Sequence, residues 1–357
     1  MSDINPDLLL DNLCISAKHP WSIIELSTTN AQLAGLFAGF MIIALTTIIS
    51  KEWGAPAPVE NDAGTSPPRP QGTQQHVTHI LVFLSMGVII LVLDAYLFGS
   101  VRATKPPAAE RFRPMAATAS NYGGNLDGAQ SAQQVCAYSW VKFMPAAGLL
   151  ALGAAILGAG LAWMLARYAA DSDAEAQKWL TALGNIIVGM ILGGTTALLV
   201  YDSTVFTEEM YYEFSQIDHE TMVTALVFIW IFGTVLLIAT VCAVTARIVD
   251  LTRERADWHA VLNFQLRSLR VPAGLTAAYL FSAVGISGLS SMSSTLAVNA
   301  WTSPHARLWI SIILCLVFPG AIYFFIMRLM PGAQRRRQAP SLIAPPTPVA
   351  GSVRDDA

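Results

Sequence analysis

The amino-acid sequence predicts an all-α fold, a polytopic integral membrane bundle of seven transmembrane helices with its N-terminus outside and its C-terminus cytoplasmic. Three observations lead there. The 357-residue chain is 54% hydrophobic and only 13% charged, with a mean hydropathy of +0.50, whereas soluble domains carry about 25% charged residues. Seven apolar runs are each long enough to cross about 30 Å of hydrocarbon at the helical rise. The basic residues are spread unevenly among the connections, and that bias sets the orientation.

The spans fall near 30–50, 78–100, 143–168, 180–202, 221–246, 272–298 and 308–329. Each is expected to be helical, because a span in lipid must satisfy its own backbone hydrogen bonds, and none shows the alternation of a barrel strand. Residues 1–29 form a polar N-terminal segment with Asp3, Asp7, Asp11 and Lys18. Lacking a basic start followed by a short apolar core, it does not match a cleaved leader, so the first run is expected to be retained. The seven-helix domain covers 30–330, and 331–357 is expected to be a disordered basic, Pro-rich tail opening on Arg335-Arg336-Arg337. The Pro- and Gly-rich stretch 54–75 is expected to be a flexible linker, and 101–142 a long outer loop able to act as a lid. Residues 247–270 alternate Arg with Val249, Leu251, Trp258 and Leu262, the pattern of an interfacial amphipathic turn. Ala31, Gly35 and Gly39, then Ala154 and Gly158, then Gly189 and Gly193 recur at four-residue spacing, which lets helices approach closely.

Orientation rests on the stretch from Tyr201 to Glu220, which holds six carboxylates, three tyrosines and no Lys or Arg. A connection without basic residues belongs outside. That choice leaves 14 of the 21 Lys and Arg residues inside and 7 outside, with the second loop, 101–142, dissenting through five of them. It also puts Cys14 and Cys136 together on the oxidising side, where a disulfide between them is expected. Cys242 and Cys315 fall inside spans and are expected to be apolar packing.

The residues suited to chemistry gather near the outer ends of the spans. Asp94 is an ionisable group within the second span, which makes it a functional candidate by its cost alone. Asp202 closes the fourth span, and Asp218 and Glu220 open the fifth. Both Asp94 and Asp202 sit in Asp-x-x-x-Phe, ahead of Phe98 and Phe206; the aromatic composition of span ends explains the match more simply than an internal repeat. These four carboxylates are the candidate acid and base, since two acids sharing a dehydrated site are pushed apart in proton affinity. Tyr96, Tyr201, Tyr211, His219, Asn299 and Trp301 are the candidate substrate-binding wall. Glu208, Glu209 and Glu213 are expected to lie in a solvated loop.

No metal site and no cofactor is expected. Val223 stands where His-Glu-x-x-His needs its second histidine, and Asp218, His219 and Glu220 with His305 make a weak ligand set. Phosphate-loop, Gly-x-Ser-x-Gly and Cys-x-x-Cys motifs are missing, which leaves ATP-driven transport, serine hydrolysis and thiol redox without support. A net charge of −3 gives no reason to expect nucleic acid. The expected partners are the lipid bilayer and a hydrophobic small molecule, and the oligomeric state is not legible.

Seven helices with acidic residues near one face resemble, in outline, the integral-membrane terpene cyclases of meroterpenoid pathways. No motif is shared, so no family residue is carried across. The resemblance implies a membrane-embedded enzyme that uses paired carboxylates for acid–base chemistry on a hydrophobic substrate, most concretely cyclisation of an isoprenoid. Two other expectations compete with it: a proton-coupled small-molecule exporter or immunity protein using the same carboxylates as a relay, and a membrane sensor or assembly partner.

Overall fold

A computed structural model of the chain describes Cys14 and residues 22–53, 71–102, 125–170, 174–212, 214, 216–252, 270–293 and 303–330. Among the described residues seven helical segments follow one another: α1 (Ile23–Trp53), α2 (Gln71–Arg102), α3 (Asn125–Ala170), α4 (Ala174–Tyr212), α5 (His219–Thr252), α6 (Arg270–Ser293) and α7 (Pro304–Leu329), the last containing a π turn over Ile313–Val317. All but α6 are long and apolar enough to cross a membrane; in α6 the apolar stretch is the shorter Gly274–Gly285. The protein is a multi-pass helical membrane bundle.

Consecutive helices from α1 to α5 pack as neighbours, and α6 and α7 both lie against α3. Facing glycines set the register. Gly153 of α3 meets Leu91 of α2, Gly160 meets Leu84, and Gly87 meets Ile156, which makes α2 and α3 antiparallel. Gly158 meets Ile191 of α4 and Gly189 meets Val244 of α5, so two of the predicted small positions are close-packing points. Gly35 and Gly39 of α1 have nothing within 4 Å of where a side chain would start.

Helices α5 and α7 run parallel, fixed at both ends. At one end Asp218, which precedes α5, lies 3.0 Å from His305 Nε2 in the first turn of α7. At the other, Arg247 donates to the carbonyl oxygens of Met330 at 3.2 Å and Met327 at 3.5 Å. A cation there meets the exposed carbonyls and the negative end of the α7 dipole.

Three sequence expectations need correction. The outer loop 101–142 is shorter than its hydrophobicity suggests: α3 begins at Asn125 and carries Lys142 inside the helix, buried. The polar residues of its first turns disguise it, and Pro145 interrupts the pattern within it. Likewise α4 runs on to Tyr212, so Glu208 and Glu209 are helical, and Glu209 is buried rather than solvated. The chain then reverses through Phe214 N–H to Glu209 O at 3.1 Å and Gln216 N–H to Met210 O at 3.0 Å. Helix α2 begins at Gln71, inside the stretch 54–75 expected to be a linker, while 54–70, the tail 331–357 and most of 1–29 and 253–269 lie outside the described residues, as does Glu213.

Candidate functional site

Asp94 projects from α2 into the bundle, 0% exposed, and among the described residues neither carboxylate oxygen has a hydrogen-bond partner. The antiparallel register sets it opposite the turn of α3 that holds Gly148 and Leu149. Three further helices contribute to that turn's surroundings. Tyr279 of α6 is fully buried, donates its hydroxyl hydrogen to Pro145 O at 3.2 Å and stacks its ring on Phe318 at 5.6 Å. Its electrostatic neighbours are Cys315, Asp94 and Tyr323. Cys315, in the π turn of α7, neighbours Asp202 and Ser203 of α4. Helix α6 thus packs against α2, and the π turn of α7 against α4.

The geometry of the π turn follows from its sequence. In α register Cys315 O would take its hydrogen from residue 319, a proline, which has none. The wider winding sends the Phe318 N–H to Ile313 O instead. Leu314 O is then left without a backbone donor, because Phe318 is engaged and Pro319 cannot donate. A Cβ on Gly148 would sit 2.8 Å from Leu314 O and 3.2 Å from Cys315 O, and would collide with the Tyr279 hydroxyl. Only glycine fits. Turns of this kind are frequent where helices carry function.

One turn further along α2 and α4 from the two acids the packing changes character. Phe98 of α2 and Phe206 of α4 flank Trp140 and Phe143 of α3, with ring centroids 5.5 Å (Phe98–Phe143), 5.6 Å (Trp140–Phe143) and 6.0 Å (Trp140–Phe206) apart. All four are buried. Beyond them Cys136 is bonded to Cys14, with Cα atoms 5.5 Å apart, so the N-terminal segment is tied to the same end of α3. Toward the other end, Tyr323 faces Thr195 and Cys315. Further on, Asn185 of α4 is fully buried, with neither its amide oxygen nor its nitrogen engaged among the described residues.

Comparison with known protein families, with curated proteins and with solved structures finds no match. The site is therefore read from its own residues.

Of the predicted site residues, Asp94 is fully buried in α2 and Asp202 is half-buried in α4. Asp218 and Glu220 lie apart from both, exposed at the start of α5. Asp218 caps that helix: Thr221 donates to it from its hydroxyl at 2.6 Å and its N–H at 3.3 Å. The Thr221 hydroxyl, and after it His305, hold the Asp218 carboxyl below the usual carboxylate range. Tyr96, 71% exposed, and Tyr201 point away from the buried cluster. Tyr211 packs edge-on against Tyr212 and His219 at the end of α4. Asn299 and Trp301 lie outside the described residues. Tyr279, Ser203, Gly148 and Leu314 were not singled out by sequence. A lone tyrosine within an apolar run, and a proline four residues after Cys315, are the signals that point to them.

Proposed function

We propose that this chain is a proton-coupled membrane protein, most concretely an exporter of a small molecule, in which Asp94 takes up and gives back the coupling proton. The single observation behind this is a carboxyl group fully buried among helices with both oxygens unengaged among the described residues. A charge in hydrocarbon is costly, and ionisable residues kept there mark proton and ion pathways. Tyr279, Cys315 and Asp202 form the relay alongside it.

We take the protein to lie in the cell membrane with its N-terminus outside and with α6 as a seventh crossing. Parallel α5 and α7 support this, since a chain that ends one helix on one side and starts the next on the other must return between them. The Cys14–Cys136 bond supports the outward N-terminus, disulfides belonging to oxidising compartments. The test is a proteoliposome assay with an internal pH dye. Wild-type protein is expected to respond to a pH gradient, and Asp94→Asn to lose the response. Equal responses from both would reject the reading.

A second reading, an isoprenoid cyclase, is favoured by the buried aromatic cluster of Phe98, Trp140, Phe143 and Phe206 one turn from Asp94, because an acid beneath aromatic faces suits protonation of an alkene and steering of the cation. Mass spectrometry of extracts decides between the two. A new cyclised product that disappears with Asp94→Asn belongs to the cyclase, and an altered distribution without a new product belongs to the exporter.

A further inference from the structure

Helices α1 and α5 are the two least buried spans, yet the faces they turn outward differ in kind. The exposed face of α5 is led by Val227, Trp230, Ile231, Val235 and Ile238, a bulky apolar surface suited to lipid tails. Its one glycine, Gly233, is buried where a side chain would meet Val200 of α4. On α1, Thr28, Gln32, Gly35, Gly39, Thr46 and Ser50 fall at helical spacing and form one stripe, none of it buried. Gly35 and Gly39 have nothing within 4 Å of a Cβ among the described residues. The three hydroxyls are spent on carbonyls of the same helix: Thr28 donates to Ile24 O at 3.1 Å, Thr46 to Ile43 O at 2.9 Å and Ser50 to Thr47 O at 3.0 Å. Gln32 is different. It is exposed, and its amide makes no hydrogen bond among the described residues. The span Ile23–Ser50 has its midpoint between Leu36 and Phe37. Centred in the bilayer, it holds Gln32 about 7 Å from the midplane, inside the hydrocarbon. Water does not reach the amide at that depth, and an unmade hydrogen bond is costly there.

We propose that the Gln32–Gly35–Gly39 face of α1 docks against the same face of a second copy of this chain, making a parallel dimer in which the two Gln32 amides bond to each other. A primary amide carries two donor hydrogens and an acceptor oxygen, so it is complementary to itself across a twofold axis. Two copies inserted in the same orientation hold Gln32 at the same depth, and a twofold axis along the membrane normal brings the amides together. A helix of another sequence would need a polar group of its own at that level. The open glycines let the two α1 backbones approach closely enough for the short amides to meet. The face is exposed while Asp94 is fully buried, so the dimer does not depend on the proton-coupled role of Asp94.

The experiment uses the full chain, first in the membranes of producing cells and then purified in a mild detergent. In membranes, Gly35→Cys is treated with a membrane-permeant oxidant and run on a non-reducing gel. Phe40→Cys, exposed on another side of α1, is the control, and the unsubstituted chain corrects for the exposed thiol of Cys242. Gly35→Cys is expected to give a band at twice the chain mass, and Phe40→Cys none above the unsubstituted chain. In detergent, light scattering across a dilution series measures the dimer. The paired substitutions Gly35→Leu and Gly39→Leu fill the groove without touching anything in their own subunit, and are expected to abolish the dimer while leaving the helical circular dichroism unchanged. Gln32→Leu is expected to weaken dimerisation about threefold, and Gln32→Asn, which keeps an amide, to stay closer to wild type. Wild-type protein that is monomeric in both membranes and detergent would overturn the proposal. A cross-linked band at any other mass would do so too, by identifying a different occupant of the α1 face. Equal cross-linking through Gly35→Cys and Phe40→Cys, or a dimer that survives the paired leucine substitutions, would place the contact elsewhere and overturn it as well. Unweakened dimerisation of Gln32→Leu would overturn the pairing of amides.

Discussion

Asp94 and Gly148 hold opposite positions in the same turn of the bundle. One is a polar group that packing leaves unpaired, the other an absent side chain that packing requires. Gly148→Ala places a methyl group against the Tyr279 hydroxyl and Leu314 O, and overpacking of this kind costs about 1–3 kcal/mol. A lowered unfolding temperature in detergent, together with loss of the Tyr279–Pro145 hydrogen bond, is the expected result. Asp218 behaves differently, being exposed. Its carboxyl is held low by Thr221 and then His305, so its contribution to stability is present above the usual carboxylate value, near 4, and fades as pH falls below it. Asp218→Asn keeps a good helix cap but loses the pairing with His305. Its melting temperature is expected to fall slightly at neutral pH and to vary less than wild type between about pH 4 and 2, a difference read by thermal scans across that range. Sequence made Asp94 legible, because a carboxylate inside an apolar run is costly wherever it points. It did not reveal that Asp218 and Glu220 stay with the water, since helix-end acids serve equally as caps and as chemistry.

Among the helices, α7 carries the most information. Its departure from α winding follows from Pro319, and its two ends are held by His305 to Asp218 and by the Met327 and Met330 carbonyls to Arg247. Arg247→Ala is expected to free the lower end of the α5–α7 pair while leaving the Asp218–His305 end in place. Hydrogen exchange is the measurement, with faster exchange near 324–330 and no change near 303–308. The placement of six membrane-crossing helices was readable in advance because hydrophobic length is a strong signal. Helix ends were not. Residues 125–142 and 203–212 continue α3 and α4 beyond the apolar stretch on polar residues that bury against their neighbours, as Lys142, Ser203, Thr207 and Glu209 do. Hydropathy has no means of distinguishing these from a loop.

Across the whole molecule, orientation is the property most open to direct measurement. With Cys14→Ser, the freed Cys136 is expected to react with a membrane-impermeant maleimide added to intact cells once the aromatic end of the bundle is loosened by detergent-free thermal opening, while Arg247 and the arginines that follow it remain protected from an impermeant guanidine reagent until lysis. Reducing the native bond is expected to lower the unfolding temperature, by an amount equivalent to about 2–4 kcal/mol, as followed by a thermal scan with and without reductant. The bond between Cys14 and Cys136 has a further consequence. It closes a ring of chain, 122 residues in sequence separation, that contains both α1 and α2. The ring cannot form until the chain through Cys136 has been made, so oxidation follows synthesis of both α1 and α2. Once it is closed, a single protease cut anywhere between the two cysteines leaves one covalent species on a non-reducing gel and two on a reducing one, and the first hairpin cannot drift away from the bundle it opens.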